Sequence, residues 1–418
     1  MTPPAAKRLA RLRHPVVARC GVALLGGALE RLEADADAWL SRALRRERRL
    51  GSVPRRLVAD AIHEALRRWP LLELLLLRGG WDGARRVEAL WEAALIRSAG
   101  RAPADAGAAF GAEVFGAFAE PGEAVRAWIR EQTPDEAASI AALASLPADF
   151  ARRLVAERAD ARTLAAALGQ RAPMTLRVSP RLGREAALAA LAEAGVSARS
   201  GALCADAVVI EGRVHLPSLD LFRRGLVEVQ DEGSQLVAAL VDPPRDGLTV
   251  DFCAGAGGKS LALAARGARV HALDVRAGAL AEAQKRAKRA RLRLRTTRID
   301  ADGPLPIAAG SAARVLVDAP CTGSGVIRRH PGSRWRVTDA RVAEACALQR
   351  RILDRAAPLV APGGRLIYAT CSLLADENQR IADAFMAAHR GWSLGAELAT
   401  DPTEHGADGF YARVFKRD

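Results

Sequence analysis

Two cysteines, Cys321 and Cys371, are the residues of this chain best suited to covalent chemistry. Cys321 lies in the run DAPCTGSG and Cys371 in the tripeptide TCS, and each comes just after an apolar segment typical of a strand. A thiolate is a strong nucleophile, and a position near a helix N-terminus lowers the pKa of a thiol. Because neighbouring parallel strands end at the same edge of a sheet, we expect the two thiols to lie together.

A pair of thiols beside a nucleoside cofactor suits alkylation of a pyrimidine. Carbon 5 of cytosine is a poor nucleophile, but addition of a thiolate at carbon 6 makes carbon 5 enamine-like. Methyl transfer, loss of the carbon 5 proton and elimination of the thiol then complete the reaction. One cysteine would attack and the second could assist elimination, and the base must leave its stack to be reached.

A glycine-rich segment, DFCAGAGGK at residues 251–259, follows a short apolar strand and opens a helix. Its glycines permit a tight turn, and the helix N-terminus offers unpaired N–H groups to polar ligand atoms. The segment does not read G-x-G-x-x-G, and a P-loop is disfavoured because Cys253 stands where its first glycine would be. The segment therefore predicts a nucleoside site, with a purely structural turn as the alternative.

Three further aspartates follow predicted strands. Asp274 ends the second strand, where an acidic residue commonly holds a ribose hydroxyl pair. Asp300 ends the third strand and could reach an adenine amino group, although solvated aspartates also end many strands. Asp318 ends the fourth strand and opens the run that contains Cys321.

Short apolar strands alternate with helical stretches from about residue 226 onward, which predicts a parallel sheet covered by helices. The predicted strands are Leu248–Phe252, Val270–Leu273, Leu294–Ile299, Val315–Val317, Leu366–Ala369 and Gly409–Phe415. Residues 1–145 are rich in Ala, Leu and Arg at helical spacing and predict an all-α domain. Between them, residues 146–225 predict a linker and a small α+β module, in which we expect residues 207–210 and 214–216 to pair as a hairpin.

The net charge is +14, from 62 basic and 48 acidic residues. It favours a polyanionic partner, above all nucleic acid, although only 5 of the 62 cations are lysine and an abundance of arginine does not by itself identify a binding site. The first 60 residues carry a net +7 and predict either a solvated helix face or an RNA-binding domain. The run from Lys285 to Arg298 holds eight cations and no acid, and two interpretations stay open: a solvated face or a contact to RNA phosphates.

Composition also argues against several classes of protein. The remaining cysteines, Cys20, Cys204, Cys253 and Cys346, form no C-x-x-C pair, so we expect no metal site and a reduced, cytoplasmic protein. No apolar run reaches the ~18 residues that span a bilayer, and we expect no membrane partner. The stretch Val16–Leu29 is interrupted by Arg19, which predicts a helix rather than a signal peptide. We expect a monomer.

Residues 175–418 resemble the bacterial RNA (cytosine-5) methyltransferases of the Sun or RsmB type, which modify small-subunit ribosomal RNA. The segments that carry the resemblance are LRV at 176–178, QDEGSQ at 230–235, the glycine-rich loop, DAPCTGSGVIRRHP at 318–331 with Trp335, PGGRLIYATCS at 362–372, Glu377-Asn378 and DGFY at 408–411. The resemblance implies a Rossmann-like methyltransferase domain, residues 226–418, preceded by the small α+β module and by a helical RNA-binding domain similar to the antiterminator NusB.

The resemblance also implies roles for individual residues. Cys371 would be the nucleophile and Cys321 would help to release the product, whereas DNA cytosine-5 methyltransferases attack with the cysteine of the Pro-Cys motif. S-adenosylmethionine would be bound by the loop and by three strand-end carboxylates: Cys253, Ala254, Gly255, Ala256, Gly257, Gly258, Lys259, Asp274, Asp300 and Asp318.

Two departures from the family pattern stand out. Gly255-Ala256 replace the usual Ala-Pro of the loop, which should loosen the turn, and Ser179 replaces the usual Asn. Residues 1–145 match loosely, so target choice is less defined than the chemistry. The same chemistry on transfer RNA, and a non-catalytic RNA-binding assembly factor, remain the alternatives. The assembly factor is disfavoured because both cysteines, the lysine of the loop and the aspartates at the strand ends are all present.

Overall fold

The computed structural model describes residues 10–32, 35–78, 83, 85–99, 123–212 and 214–418. The described residues fall into two compact units. The first comprises the residues up to Arg171 together with Ile327–Asp339, and the second comprises Ala172–Val326 and Ala340–Asp418. The three-domain division predicted from the sequence stays a prediction.

The first unit is helical, as the spacing of apolar residues predicts. Its helices are α1 (Pro15–Leu29), α2 (Ala36–Arg46), α3 (Ser52–Arg78), α4 (Arg86–Ala99), α5 (Glu123–Glu131), α6 (Glu136–Ala144), α7 (Ala148–Glu157) and α8 (Ala161–Leu168). Asp35 and Asp135 cap α2 and α6, since each carboxylate accepts the N–H three residues on, at 3.0 and 2.8 Å. Leu and Ala side chains of α1 to α4 form one buried core around Trp91.

Residues 327–339 pack into this helical unit at a proline in α3. Pro70 has no N–H, so the carbonyl of Leu66 lacks its usual helical donor, and Trp335 Nε1 donates to that carbonyl at 3.2 Å. The fully buried Arg334 guanidinium donates to the carbonyls of Arg67 (2.7 Å), Ala144 (3.1 Å), Ser145 and Leu168 (both 3.2 Å). Burial lowers the pKa of Arg334 to about 9.

The second unit begins with a small α+β module. Its four-stranded antiparallel sheet has the order β2-β3-β1-β4, formed by β1 (Met174–Val178), β2 (Ala198–Ser200), β3 (Ala207–Ile210) and β4 (Val227–Val229). Helices α9 (Arg184–Glu193) and α10 (Asp220–Arg223) complete it. The predicted hairpin between residues 207–210 and 214–216 is wrong. Ala207–Ile210 pairs with Ala198–Ser200 on one side and with Met174–Val178 on the other, which leaves no edge for residues 214–216. Leu216–Ser218, with a proline that cannot donate, forms a 3-10 helix.

A seven-stranded sheet of order β10-β11-β9-β8-β5-β6-β7 follows. Its strands are β5 (Leu248–Asp251), β6 (Arg269–Asp274), β7 (Arg295–Arg298), β8 (Ala312–Asp318), β9 (Val360–Thr370), β10 (Trp392–Thr400) and β11 (Phe410–Arg417), and its helices are α11 (Glu232–Leu240), α12 (Gly258–Ala265), α13 (Ala277–Arg289), α14 (Asp339–Ala356) and α15 (Gln379–Ala388). The run β9-β8-β5-β6-β7 is parallel, whereas β11 is antiparallel to β9 and β10. This Rossmann-like sheet confirms the predicted fold class, and it brings the carboxyl ends of β5, β6, β8 and β9 to one edge.

Among the described residues, no helix is both long and apolar enough to cross a membrane.

Candidate active site

The two cysteines singled out in the sequence lie together at the carboxyl edge of the sheet. Cys371 follows the last residue of β9 and Cys321 lies three residues beyond the end of β8, and their Sγ atoms are 3.4 Å apart. The hydrogen bond to Cys371, together with burial, raises the pKa of Cys321 well above that of a free thiol. Cys321 is therefore a thiol at neutral pH, so it can donate its proton toward the Cys371 sulfur.

Hydrogen bonds between the two cysteine-bearing loops fix this proximity. The N–H of Gly325 donates to the carbonyl of Cys371 at 2.9 Å. Ser324 Oγ accepts the N–H of Leu373 at 2.9 Å and lies 3.0 Å from Ser372 Oγ. Both serines are buried. The loops are thus held as one body rather than as two independent turns.

The glycine-rich loop has the conformation that its composition requires. Gly255 and Gly257 have φ values of +54° and +78°, in the left-handed region that side chains disfavour. A Cβ on Gly257 would lie 2.8 Å from Cβ of Ala283, whereas a Cβ on Gly258 would meet nothing within 4 Å. The start of α12 is therefore open for a ligand to approach, and it presents the N–H groups of a helix N-terminus.

Asp274 holds this loop from the end of β6. Its carboxylate accepts the N–H of Gly255 at 2.7 Å and the N–H of Arg276 at 2.8 Å. Burial opposes ionisation, but hydrogen bonds from Arg276 and Gly255 outweigh it and lower the pKa of Asp274. The carboxylate is charged and holds the loop, and the contact with a ribose stays a prediction.

Cys253 and Ala254 form the inward side of the same loop. The N–H of Ala254 donates to the carbonyl of Leu273 at 2.9 Å, which attaches the loop to β6. Burial raises the pKa of Cys253, so its thiol stays protonated and unreactive. These two residues shape the loop through their backbone.

Arg286, on α13, supports the loop from outside, and nothing in the sequence marked it for this role. Its guanidinium donates to the carbonyl of Ala256 at 2.7 Å and to the buried carboxylate of Glu228 at 3.0 Å. Arg289 also donates to Glu228. Two of the eight cations in the basic run therefore form contacts inside the unit, and Arg286 holds the loop backbone at Ala256.

Lys259 and Asp318 form a half-buried ion pair beside the cysteines, with Nζ 2.7 Å from Oδ2. Burial alone would lower the pKa of Lys259, but the charges of Asp318, Cys371 and Asp251 together raise it. The ammonium group is thus cationic, and Cys371 is among the groups with which it interacts electrostatically. The aromatic ring of Phe410 packs under it, with Nζ 5.2 Å from the ring centroid.

Asp251 is a buried carboxyl group at the end of β5, between the loop and the ion pair. Its Oδ2 accepts the Ser260 hydroxyl at 2.5 Å, while its Oδ1 has no hydrogen-bond partner among the described residues. Burial raises the pKa of Asp251 to about 7. A buried carboxyl oxygen without a hydrogen-bond partner, in a group with a shifted pKa, indicates a position at which a polar group of a ligand could form a hydrogen bond.

Asp300 differs from these groups because its side chain is exposed to solvent. It comes two residues after β7, its side chain is 79% exposed, and Arg298 is 3.8 Å away. The structure brings Asp274, Asp318 and the loop to one edge, whereas Asp300 remains a solvated carboxylate at the next strand.

Outside the site, Asp401, Glu404 and His405 place one potential metal-ligand atom each within 4.8 Å of one another. Asp401 Oδ1 already accepts the N–H groups of Thr403 and Glu404 in its own turn, at 2.8 and 3.0 Å. We assign no metal to these residues.

Two family models match separate parts of the chain. Residues 238–415 match "16S rRNA methyltransferase RsmB/F", and residues 152–216 match the ferredoxin-like domain of RsmF/B-like methyltransferases. The first match contains the loop, the three aspartates and both cysteines, and the second contains β1 to β3.

Curated relatives carry the name ribosomal RNA small subunit methyltransferase B. The protein of Erwinia tasmaniensis is 39% identical over 264 residues, which are 59% of this chain and 61% of the relative. That of Sodalis glossinidius is 37% identical over 289 residues, or 66% of this chain and 64% of the relative. The chain thus spans less than two thirds of the length of these relatives.

Solved structures share the fold at lower identity. PH0851 aligns with a TM-score of 0.75 and 21% identity over 96% of this chain and 99% of its own. NSun6 from Pyrococcus horikoshii, crystallised with SFG, aligns with a TM-score of 0.56 and 17% identity over 62% of this chain and 94% of its own.

Proposed function

We propose that this chain, whose residues 152–216 and 238–415 carry the two domains of the RsmB/F methyltransferase family, methylates carbon 5 of a cytosine in small-subunit ribosomal RNA. The observation that carries the proposal is the pair of thiols 3.4 Å apart beside a cationic lysine and a glycine-rich loop. Two sulfur atoms at one sheet edge suit a reaction that forms a bond from sulfur to the base and then breaks it.

S-adenosylmethionine is the cofactor that fits the loop. The open approach over Gly258, the N–H groups at the start of α12 and the orphaned Oδ1 of Asp251 offer acceptors and donors for a nucleoside amino acid. Bound there, the cofactor would supply an electrophilic methyl group. We assign its binding to the loop residues Cys253, Ala254, Gly255, Ala256, Gly257, Gly258 and Lys259 and to Asp274, Asp300 and Asp318; SFG in the NSun6 structure is an analogue of it.

Cys371 is assigned the role of nucleophile. Its sulfur, next to the Lys259 cation, adds to carbon 6 of the cytosine, which makes carbon 5 nucleophilic. Once carbon 5 carries the methyl group, solvent takes up the carbon 5 proton and the electron pair of that C–H bond forms the double bond between carbons 5 and 6. The bond between carbon 6 and Cys371 then breaks, with its electron pair returning to sulfur. Cys321, held as a thiol within hydrogen-bond reach of Cys371, assists this release.

The remaining parts of the chain are assigned to RNA. We assign residues 1–145 to a NusB-like RNA-binding domain, residues 146–225 to the linker and small α+β module, and residues 226–418 to the methyltransferase domain. The charge of +14 suits a polyanionic substrate.

The test is bisulfite sequencing of ribosomal and transfer RNA from cells with and without this protein. We expect one cytosine of small-subunit ribosomal RNA to lose its protection when the protein is absent. Loss of protection only in transfer RNA would keep the chemistry and overturn the substrate. Unchanged protection in both RNAs would overturn the proposal and favour an assembly factor without catalysis.

A further inference from the structure

Glu377 is a fully buried carboxylate that contacts both cysteine-bearing loops, and neither the motif chemistry nor the likeness to the family gives it a role. Its Oε1 accepts the backbone N–H of Thr322 at 2.8 Å, and its Oε2 accepts the Thr322 hydroxyl at 2.5 Å. The same Oε2 accepts the Ser372 hydroxyl at 2.6 Å. Thr322 is the residue after Cys321 and Ser372 is the residue after Cys371, so one side chain joins the neighbours of both thiols.

Gln349, on α14, completes the arrangement. Its Nε2 donates to Glu377 Oε1 at 3.1 Å and to the carbonyl of Pro320 at 3.0 Å. The residues on both sides of Cys321 are therefore held by Glu377 and its partner. Gln349 is itself fully buried.

The chemistry of this position requires a carboxylate. Glu377 receives four hydrogen bonds and donates none, which uses about all of the lone-pair sites that two carboxylate oxygens have. A glutamine of the same shape has one acceptor oxygen, and its amide N–H groups would face donors that already point inward. The position therefore requires a side chain with two acceptor oxygens, and a side chain of the same volume with fewer acceptors does not satisfy the four donors.

We propose that Glu377 is a positioning residue that sets the distance and orientation between the Cys321 and Cys371 thiols. It acts through Thr322 and Ser372 and touches neither sulfur. The inference rests on the proposed function for its consequence in the reaction, but the placement of the two thiols can be measured without substrate. The charge of Glu377 is also one of the causes that raise the pKa of Cys321, so its loss alone would favour the Cys321 thiolate and speed oxidation. Slower disulfide formation in Glu377→Gln would therefore report displacement of the two thiols and not a change in their ionisation.

The experiment compares Glu377→Gln with Asp376→Asn in the full-length protein. Asp376 is the adjacent carboxylate, its side chain is 21% exposed, and it pairs with Arg380, so Asp376→Asn is a matched control for loss of charge in the same turn. The first measurement is the rate at which diamide oxidises the two thiols to a Cys321–Cys371 disulfide, followed by mass spectrometry of tryptic peptides. The oxidation removes two protons and two electrons from the two thiols, and the nitrogen–nitrogen double bond of diamide takes up the protons and the electrons.

The second measurement is steady-state methylation of the RNA target. We expect Glu377→Gln to slow disulfide formation at least ~5-fold and to lower kcat by about 10- to 100-fold, with KM for RNA within about twofold, since displacement of reacting groups by about 1 Å has costs of this size. Asp376→Asn should match the wild type in both measurements. Partial unfolding would also lower the apparent kcat, because it reduces the folded fraction. It would, however, speed the alkylation of a buried thiol such as Cys20, which a displacement confined to the two loops would not do.

The outcomes separate the placement role from the proposed function. Unchanged disulfide rate or unchanged kcat in Glu377→Gln overturns the positioning role, as does a wild type in which diamide gives no Cys321–Cys371 disulfide. If the wild type methylates no cytosine, the proposed function fails while the disulfide rates still decide the placement role. If Glu377→Gln does not fold, Thr322→Val removes one of the four donors, and a disulfide rate equal to the wild type in that variant contradicts the proposal.

Discussion

The Sγ atoms of Cys321 and Cys371 lie 3.4 Å apart although 50 residues separate them in the chain. Parallel pairing of β8 with β9 produces this contact, because Asp318 is in register with Ala369 and each cysteine follows within three residues of its strand. The pKa of Cys321 is raised by this contact and by burial. The raised pKa keeps Cys321 in the thiol form, which suits its assigned part in releasing the product.

The roles can be separated by single substitutions. Cys371→Ala removes the sulfur that bonds to the base, so we expect turnover to fall by about a thousandfold or more and no covalent complex with RNA to form. Cys321→Ala leaves the nucleophile but slows release, so we expect a covalent complex that survives denaturing gel electrophoresis. Cys20→Ala, a buried thiol of the helical unit, is the control and should behave as wild type in both assays. Reversed phenotypes of the first two variants would contradict the assignment.

Asp251 predicts a specific pH dependence of stability. Its pKa in the folded protein is about 7, against 3.8 for an ordinary carboxyl group, so the folded state binds more protons between these values and stability falls as pH rises through that window. The shift in pKa corresponds to a loss of about 4 kcal/mol in the free energy of unfolding when the pH rises across the whole window. Asp251→Asn removes the titration, so we expect its melting temperature, relative to wild type, to rise by several degrees between pH 4.5 and 7.5.

The matched control for this measurement is Asp242→Asn. Asp242 is a carboxylate of the same unit whose side chain is 74% exposed. Its melting temperature relative to wild type should not change over the same pH range. A difference between Asp251→Asn and wild type that is independent of pH would show that the carboxyl of Asp251 is ionised throughout.

The strand ends of the site could be predicted from the sequence, because the features that mark them are local. An apolar run followed by Asp251, Asp274 or Asp318 identifies both the strand and the edge at which it ends. The glycine loop is equally local, since positive φ values at Gly255 and Gly257 require glycine. Parallel pairing then brings these ends together without further information.

The contacts that brace the site could not be predicted, because the residues that form them are distant in the chain. Glu377 is 55 residues from Thr322, and Arg286 is 58 residues from Glu228. A charged residue in a sequence carries no mark of whether it is buried, and Arg286 looked like any other cation of its basic run. The hairpin at residues 207–210 failed for a related reason, since the competing partner Ala198–Ser200 is too short to be recognised.

The proline in α3 predicts an energetic coupling to Trp335. Trp335→Phe keeps the ring packed near Trp69, 5.3 Å between centroids, but removes the N–H that satisfies the Leu66 carbonyl. We expect a loss of about 1 kcal/mol in the stability of the helical unit. In a Pro70→Ala background the new N–H can pair with Leu66, so the same substitution should cost less by about 0.5 kcal/mol or more. Thermal melts of the four proteins give the coupling, and equal penalties in both backgrounds would contradict it.

The basic run divides into cations that brace the fold and cations that face solvent. Arg286 and Arg289 hold Glu228, whereas Lys285, Lys288 and Arg293 are exposed. If Lys285, Lys288 and Arg293, three of the six exposed cations, contact phosphates, their replacement by glutamine should weaken binding to all RNAs. It should also reduce the slope of log K against log[salt] by about 2, at ~0.7 per lost contact with single-stranded RNA. A control of equal charge change, with glutamine at the exposed positions Arg350, Arg390 and Lys416, should leave the slope as it is. Weaker binding with an unchanged slope in the first variant would show that these cations form only a solvated face.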